Sequence, residues 1–265
     1  MRKSVLLLLA VIAALLVLYS CESEPEESSL VVQARQAYAA GHFSDAEALY
    51  EEYLQTVPEG EDRWEAWNRL LDLALNVRGD YETADALLEA MYLEFGEDPD
   101  MAWDLMSRLA TIYESLGDTA KAVETWQKAL RIEDLDASHL GDVFLHLAKL
   151  FQEQRDYDLA LEALEACGES AEDDGIRFQC RYETAQTLGY MQNWHRAKQE
   201  LDELLETEGL TDDIRALAVF MLADIFEHEG DYSEAQALLE SIRETYPNPR
   251  VVETRIEHLK EMRGQ

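Results

Sequence analysis

The sequence repeats one short pattern six times at a nearly constant interval, which limits the folds that the chain can adopt. The six segments begin at Gly41, Gly79, Gly117, Arg155, Gln192 and Gly230. Neighbouring segments start 37 or 38 residues apart, every segment ends in alanine, and five of the six have an aromatic third residue. A fixed period of about 20–50 residues is typical of chains that stack supersecondary units. The chain is therefore predicted to be a row of similar units rather than one globular core.

Each unit contains two segments with the apolar spacing of an amphipathic helix. In the third unit, for example, Leu105, Leu109 and Ile112 follow one helical face. With only 12 Gly and 5 Pro in 265 residues, the composition also favours helices over strands. Four of the six short segments begin with glycine, where the chain must turn sharply and a positive φ is expected.

Alanine recurs once in each helix of nearly every pair. The first helices carry Ala34, Ala110, Ala148, Ala185 and Ala223, with Asp72 in the second unit; the second helices carry Ala46, Ala84, Ala122, Ala160, Ala197 and Ala235. Two helix axes approach to about 8 Å only where the side chains at the crossing are small. We therefore expect these alanines to lie where the two helices of a unit meet.

This arrangement resembles the tetratricopeptide repeat. The small first-helix residue, the glycine–aromatic–alanine turn and a large second-helix residue all have counterparts, the last being Tyr50, Leu88, Trp126, Leu164, Leu201 and Leu239. The period of 38 exceeds the 34 residues usual for that family. The resemblance implies an all-α fold, a right-handed α-solenoid of about six helix-turn-helix repeats over residues 30–249. A C-terminal capping helix over residues 250–265 would follow, with an apolar stripe of Val252, Ile256, Leu259 and Met262.

Residues 1–20 have the features of an export signal. Arg2 and Lys3 precede an uncharged apolar stretch of fifteen residues, which is shorter than the roughly 20 residues of a membrane-spanning helix. The segment ends Leu18-Tyr19-Ser20-Cys21, which resembles the bacterial lipobox and implies a lipoprotein signal peptide with lipidation at Cys21. Ordinary cleavage and an uncleaved anchor are the alternatives. Residues 21–29 are predicted to be an acidic flexible tether.

The charge balance and the motifs argue against several classes of function. The chain carries 22 Lys and Arg against 56 Asp and Glu, a net charge of −34, which excludes general phosphate binding to nucleic acid. No phosphate-binding loop, dinucleotide fingerprint, HExxH or GxSxG motif is present. His139 and His146 are seven residues apart but lack a nearby third ligand. We expect a non-enzymatic protein with no catalytic residue, no cofactor and no metal.

The resemblance also implies a binding groove along the first helices. The candidate positions are Arg35, Tyr38, Arg69, Asn76, Arg108, Thr111, His146, Lys149, Tyr182, Gln186 and Tyr190, continued by Phe220 and Asp224. One cation in each of the first four units favours an extended or acidic peptide. The groove positions also include seven acidic residues, so a solvated face without a ligand is the alternative. These acids are Asp104, Glu114, Asp142, Glu153, Glu183, Asp224 and Glu227.

Cys167 and Cys180 flank the turn between the fourth and fifth units. Export would place them in an oxidising compartment, where a disulfide persists, and antiparallel helices could bring them together. The alternative is two small core residues.

Together these features predict a membrane-tethered, non-enzymatic scaffold that binds protein or peptide partners in the cell envelope of a Gram-negative-type bacterium. The lipid bilayer would be a second partner, reached through the acylated Cys21 on the periplasmic side. Glu22 after that cysteine favours the outer over the inner membrane. The alternatives are an accessory regulator of cell-wall enzymes, a component of outer-membrane protein assembly, and a role for the acidity itself in salt adaptation or in the recruitment of basic partners.

Overall fold

The computed structural model describes residues 26–263, and in that part of the chain every regular element is helical. The α-helices are α1 (Glu26–Ala39), α2 (Phe43–Thr56), α3 (Arg63–Asp72), α4 (Tyr81–Phe95), α5 (Pro99–Leu116), α6 (Thr119–Ala129), α7 (Leu140–Gln154), α8 (Tyr157–Ser170), α9 (Asp174–Tyr190), α10 (Trp194–Leu205), α11 (Asp212–Glu229), α12 (Tyr232–Ser241) and α13 (Pro249–Arg263). A π-helical turn, Leu73–Arg78, continues α3, and a 3₁₀ turn, Ala137–His139, precedes α7. The predicted all-α repeat fold is confirmed.

The chain divides into two compact units, with the boundary between Glu94 and Phe95. In the first unit, α1 packs on α2 and α2 packs on α3. In the second unit, the pairs α5–α6, α7–α8, α9–α10 and α11–α12 pack in succession, and α13 packs on α12. The helix pairs of the first, third, fourth, fifth and sixth repeats are thus those that the sequence predicts. The right-handed solenoid that would join all six repeats stays a prediction.

The recurring alanines lie in the core of each unit. All eleven are at most 1% exposed, and so are four of the six large second-helix residues, while Trp126 and Leu164 are 2% exposed. This confirms that the small side chains face the packed interior, where they allow close approach of helices. In the second repeat, which lies in the first unit, Asp72 replaces the alanine; there α3 ends and the π-helical turn begins.

The turn within each pair uses a left-handed residue. Gly117 has φ 70° and Gly230 has φ 83°, as the sequence predicts, and Gly41 and Gly79 share the conformation. Arg155 (φ 64°) and Gln192 (φ 60°) adopt it without being glycine. At Gly117 the turn closes with the bonds Gly117 N to Glu114 O (3.0 Å) and Asp118 N to Tyr113 O (2.9 Å). The repeat therefore imposes its turn on two residues that are unfavourable there.

The predicted tether, residues 21–29, overlaps the first helix in its last four residues. Helix α1 begins at Glu26, so residues 26–29 are helical and do not belong to the tether. The signal segment 1–20, Cys21 and residues 22–25 lie outside the described residues. Among the described helices, none combines the length and the apolar character needed to cross a membrane.

The C-terminal helix α13 covers the last pair. Val252, Ile256 and Leu259 are at most 6% exposed and join the core formed with α11 and α12. Met262, the fourth residue of the expected stripe, is 37% exposed and does not belong to that core. The apolar contact of α13 thus ends one turn earlier than predicted.

Candidate functional site

In the first unit, the candidate cation Arg35 is neutralised by carboxylates of its own unit. Its Nη2 lies 2.8 Å from Asp62 Oδ1, and its guanidinium also binds the carboxylate of Glu65. Hydrogen bonds from Arg35 lower the pKa of Glu65, and the hydrogen bonds with Glu65 and Asp62 raise the pKa of Arg35. Arg35 is thus shared between two carboxylates of its own unit.

The other candidate residues of the first unit also contact one another. The Tyr38 hydroxyl donates to Asp72, and Asn76 donates to the same carboxylate at 2.6 Å. The Arg69 guanidinium lies 4.7 Å from the centre of the Tyr38 ring. Hydrogen bonds from Tyr38 and Asn76 lower the pKa of Asp72. Asp72, which departs from the repeat pattern, therefore organises the polar face of this unit.

In the second unit, the candidate residues of α5 bond within their own helix. Arg108 Nη2 lies 2.9 Å from Asp104 Oδ2, and the Thr111 hydroxyl donates to the Ser107 carbonyl at 2.8 Å. Together with Arg35, this means that cations proposed for an acidic peptide contact internal carboxylates. Two of the four cations proposed for an acidic peptide are thus paired with carboxylates of their own unit, and the acidic ligand stays a prediction.

An aromatic cluster surrounds the candidate residue His146. The His146 ring stacks on Trp126 with centroids 4.4 Å apart, and its Nδ1 lies 2.9 Å from Glu114 Oε1. Trp126 Nε1 donates to the same oxygen at 2.5 Å. Burial raises the pKa of Glu114, but its bonds with His146 and Trp126 outweigh this effect and lower it. His139 stacks on Trp103 at 4.2 Å. Both histidines therefore contact indole rings.

Among residues 26–263, no three His, Cys, Asp or Glu side chains come together in a way that could hold a metal ion. The stacking of His139 on Trp103 and of His146 on Trp126 was not predicted, because the two rings of each pair lie on different elements of the fold.

The remaining candidate residues come together along α7 and α9. Tyr182, Gln186 and Tyr190 are spaced four residues apart, so they share one face of α9. Lys149 of α7 lies beside them, and with Gln186 and Tyr190 it lines a cavity of about 440 Å³, here called the polar cavity. The structure thus brings four of the predicted groove residues to one surface.

The floor of the polar cavity contains a buried carboxylate. Glu183 is 6% exposed and accepts hydrogen bonds from Gln152 Nε2 (3.2 Å) and Gln179 Nε2 (2.9 Å). Lys149 Nζ is 3.9 Å away, at the limit of an ion pair. Glu183 is therefore held mainly by neutral amide donors. In the sequence, Glu183 counted only as one of the seven acidic residues that favour a solvated face.

A second cavity of about 360 Å³ lies next to the polar cavity and shares Gln186 and Tyr190 with it. It is called the aromatic cavity because five rings line it, those of Tyr182, Tyr190, Trp194, Phe220 and Tyr246. The Phe220 and Tyr246 rings stack at 4.7 Å. Burial raises the pKa of Tyr182 to about 12, with nearby negative groups adding to the effect.

One carboxylate, Asp224, also lines the aromatic cavity. Its Oδ1 lies 2.6 Å from Arg255 Nη2, and Arg255 also bonds Glu227 at 2.8 Å. Burial raises the pKa of Asp224, although the charge of Arg255 opposes this. Tyr246 was missed as a site residue, because it precedes Pro247 outside the repeated pattern and its only sequence signal was that of a helix end.

The structure joins Cys167 of α8 and Cys180 of α9 in a disulfide, with their Cα atoms 6.0 Å apart. Both residues are at most 1% exposed. Its formation in the cell requires an oxidising compartment and is part of the proposal below.

Models of one family match most of the described chain. Three models of the tetratricopeptide repeat match residues 31–102 and 182–248, residues 104–134, and residues 142–172. The chain belongs to the tetratricopeptide repeat family. Proteins with these repeats generally act as protein-interaction scaffolds, and the fold is typically non-enzymatic.

Solved structures show the same fold. BtubC (BKLC) from P. vanneervenii is 21% identical, with a TM-score of 0.58, covering 83% of this chain and 88% of its own. MamA from Desulfovibrio magneticus RS-1 is 17% identical, with a TM-score of 0.53 and coverages of 69% and 95%. A Podosopora anserina protein with nearly identical TPR-like repeats is 21% identical, with a TM-score of 0.54 and coverages of 71% and 96%. At these identities the similarity concerns the fold alone. No curated protein sequence matches the chain.

Proposed function

We propose that this protein is a lipid-anchored, non-enzymatic adaptor of a Gram-negative-type cell envelope. It faces the periplasm, preferentially from the outer membrane, and binds a partner protein through the second unit. The binding surface consists of the polar and aromatic cavities along α7, α9 and α11. Cys21 carries the lipid, and the exported location allows the disulfide between Cys167 and Cys180 to persist.

The observation that supports binding is the pair of adjoining cavities on the face of α9. Specific binding sites are concave and combine apolar or aromatic walls with a few polar groups that fix orientation. The aromatic cavity supplies five rings, and the polar cavity supplies Gln186, Lys149 and the buried Glu183. Tyr190, which lines both, is 52% exposed and therefore accessible to a partner.

The observation that supports anchoring is the sequence Leu18-Tyr19-Ser20-Cys21 after a basic start and a short apolar stretch. Several acyl chains on one cysteine hold a protein on a bilayer, whereas a single chain binds only marginally. In the native host, Cys21 should incorporate labelled fatty acid, and the protein should sediment with membranes. The variant Cys21→Ser should lose the label. If the wild-type protein remains unlabelled, the anchor is wrong.

Partner binding is tested by comparing two variants after chemical crosslinking in intact cells. The double variant Gln186→Ala with Tyr190→Ala alters the proposed surface, and Leu93→Ala alters a residue of the first unit that is 88% exposed. We expect one small set of envelope proteins to co-purify with the wild type and with Leu93→Ala. The same set should fall at least tenfold with the double variant. Equal recovery in all three would contradict the proposed binding surface.

A further inference from the structure

The aromatic cavity has a composition that suits a positively charged ligand group. Five aromatic rings line it together with Gln186, Gly189 and Met221, and its one charged lining residue in the described part of the chain is Asp224. No lysine or arginine is among the residues that line it in the described part of the chain. The face of an aromatic ring attracts a cation, and several rings around one cation bind it more strongly.

The surroundings of the cavity are negative as well. The carboxylates of Asp224 and Glu227 share the single cation Arg255, which leaves the three side chains with one net negative charge. In the neighbouring polar cavity, Glu183 is 6% exposed and its nearest cation is Lys149 at 3.9 Å. The whole chain carries a net charge of −34. A cation approaching this surface is therefore attracted at long range and within the cavity.

An apolar or an acidic group fits the same cavity less well. An apolar side chain would cover the partly buried Asp224 without offering a hydrogen bond to the carboxylate oxygen that Arg255 leaves free, and covering a polar atom without a partner is costly. An acidic group would meet a carboxylate and no cationic lining residue. A lysine or arginine side chain lays its methylene stem along apolar walls and places its charge at the polar end. The walls and the charge thus favour the same kind of group.

We propose that the aromatic cavity binds a lysine or arginine side chain from a basic segment of the partner protein. The inference rests on the proposed function and specifies the chemistry of its partner. It reverses the expectation of an acidic peptide, since Arg35 and Arg108 are paired with carboxylates of their own units. Tyr190 contributes a ring at the border of the two cavities, so its substitution should weaken binding of the basic segment measurably.

The experiment measures binding of two dye-labelled peptides to the full-length chain in nonionic detergent by fluorescence anisotropy. One peptide is acetyl-GRGRGS-amide, and in the other both arginines are replaced by citrulline, which has the same shape but no charge. We expect the arginine peptide to bind at least tenfold more tightly. Equal affinity of the two peptides would overturn the proposal, and this comparison requires no variant to fold.

Variants then separate the cavity from the general attraction of an acidic protein. Tyr190→Leu removes a ring without changing the net charge, Tyr190→Phe keeps the ring, and Tyr81→Leu removes an aromatic residue of the first unit that is 40% exposed. We expect Tyr190→Leu to weaken binding of the arginine peptide by about three- to tenfold. Tyr190→Phe and Tyr81→Leu should retain it. If Tyr190→Leu and Tyr81→Leu bind alike, the cation does not occupy this cavity.

This result is independent of the crosslinking in cells. If partners are lost from the double variant while the two peptides bind equally, the adaptor function holds and the basic chemistry is wrong. If the arginine peptide binds through Tyr190 but no partner depends on that surface in cells, the adaptor function is wrong.

Discussion

The turn residues of the repeats allow a stability prediction that can be worked out from backbone geometry. Gly117 has φ 70°, and a Cβ atom built on it would meet nothing within 4 Å. Gln192 occupies the corresponding position two repeats later, with φ 60°, and it is exposed. Its turn has the same hydrogen bonds, from Gln192 N to Gly189 O (2.9 Å) and from Asn193 N to Leu188 O (2.8 Å). The two positions therefore differ mainly in side chain.

The magnitude follows from two opposing effects. A left-handed backbone costs an L-residue about 1–2 kcal/mol relative to glycine. Replacing glycine also removes conformational freedom from the unfolded chain, which returns about 0.4–1 kcal/mol. We therefore expect Gly117→Ala to lower the free energy of unfolding by roughly 0.5–1 kcal/mol. Gln192→Gly should raise it by a similar amount, because it reverses both effects.

The assay is thermal and urea unfolding of the full-length chain in detergent, followed by circular dichroism. For a folded part of this size, 1 kcal/mol corresponds to a shift in Tm of about 2–4 °C. Opposite shifts for the two variants are expected. A neutral or stabilising Gly117→Ala would refute the assigned backbone cost, because the added methyl group has no neighbour within 4 Å that could offset it.

Three further predictions follow from the second unit. Ala148 is fully buried, so Ala148→Leu should overpack the core and lower the free energy of unfolding in urea by about 1–3 kcal/mol. The control Ala120→Leu, at an exposed position, should be nearly neutral. Equal effects of the two variants would contradict the role of the small residues. The pKa of Glu114 is lowered in the folded protein, so the stability that it contributes is present above about pH 4.5 and is lost as the pH falls through its folded pKa. The difference in unfolding free energy between wild type and Glu114→Gln should therefore shrink from pH 7 to pH 3, and a constant or growing difference would disprove it. Reduction of the bond between Cys167 and Cys180, which are 13 residues apart, should lower the free energy of unfolding by about 3 kcal/mol. Adding the reductant should not change the free energy of unfolding of the variant in which both cysteines are alanine.

The register of the repeats could be predicted from the sequence because it depends on residue size. A helix pair that approaches closely needs a small residue at the crossing, and Ala148 and Ala160 are both fully buried as that requirement predicts. The positive φ at Gly117 and Gly230 follows in the same way from the need for a left-handed residue. The need for a small residue at a helix crossing and for a left-handed residue at a turn can both be recognised in a single sequence.

The partners of the candidate side chains could not be predicted, because they depend on tertiary packing. Arg35 looked available for an acidic ligand, but Asp62, 27 residues further along the chain, binds it. Tyr246 lies outside the repeat pattern, yet it stacks on Phe220 and completes the aromatic cavity. Sequence periodicity located the face of α9 and missed the residues that close the cavity around it.

The most direct test of the central claim is photocrosslinking from a single position in living cells. A photoreactive phenylalanine analogue is placed at position 190, in the proposed surface, or at position 81, where an exposed tyrosine of the first unit is the matched control. Irradiation is expected to crosslink an envelope protein from position 190 and not from position 81, and the crosslinked peptide should contain lysine or arginine. No crosslink from position 190, or the same crosslinks from both positions, would contradict the claim that the second unit is the partner-binding surface.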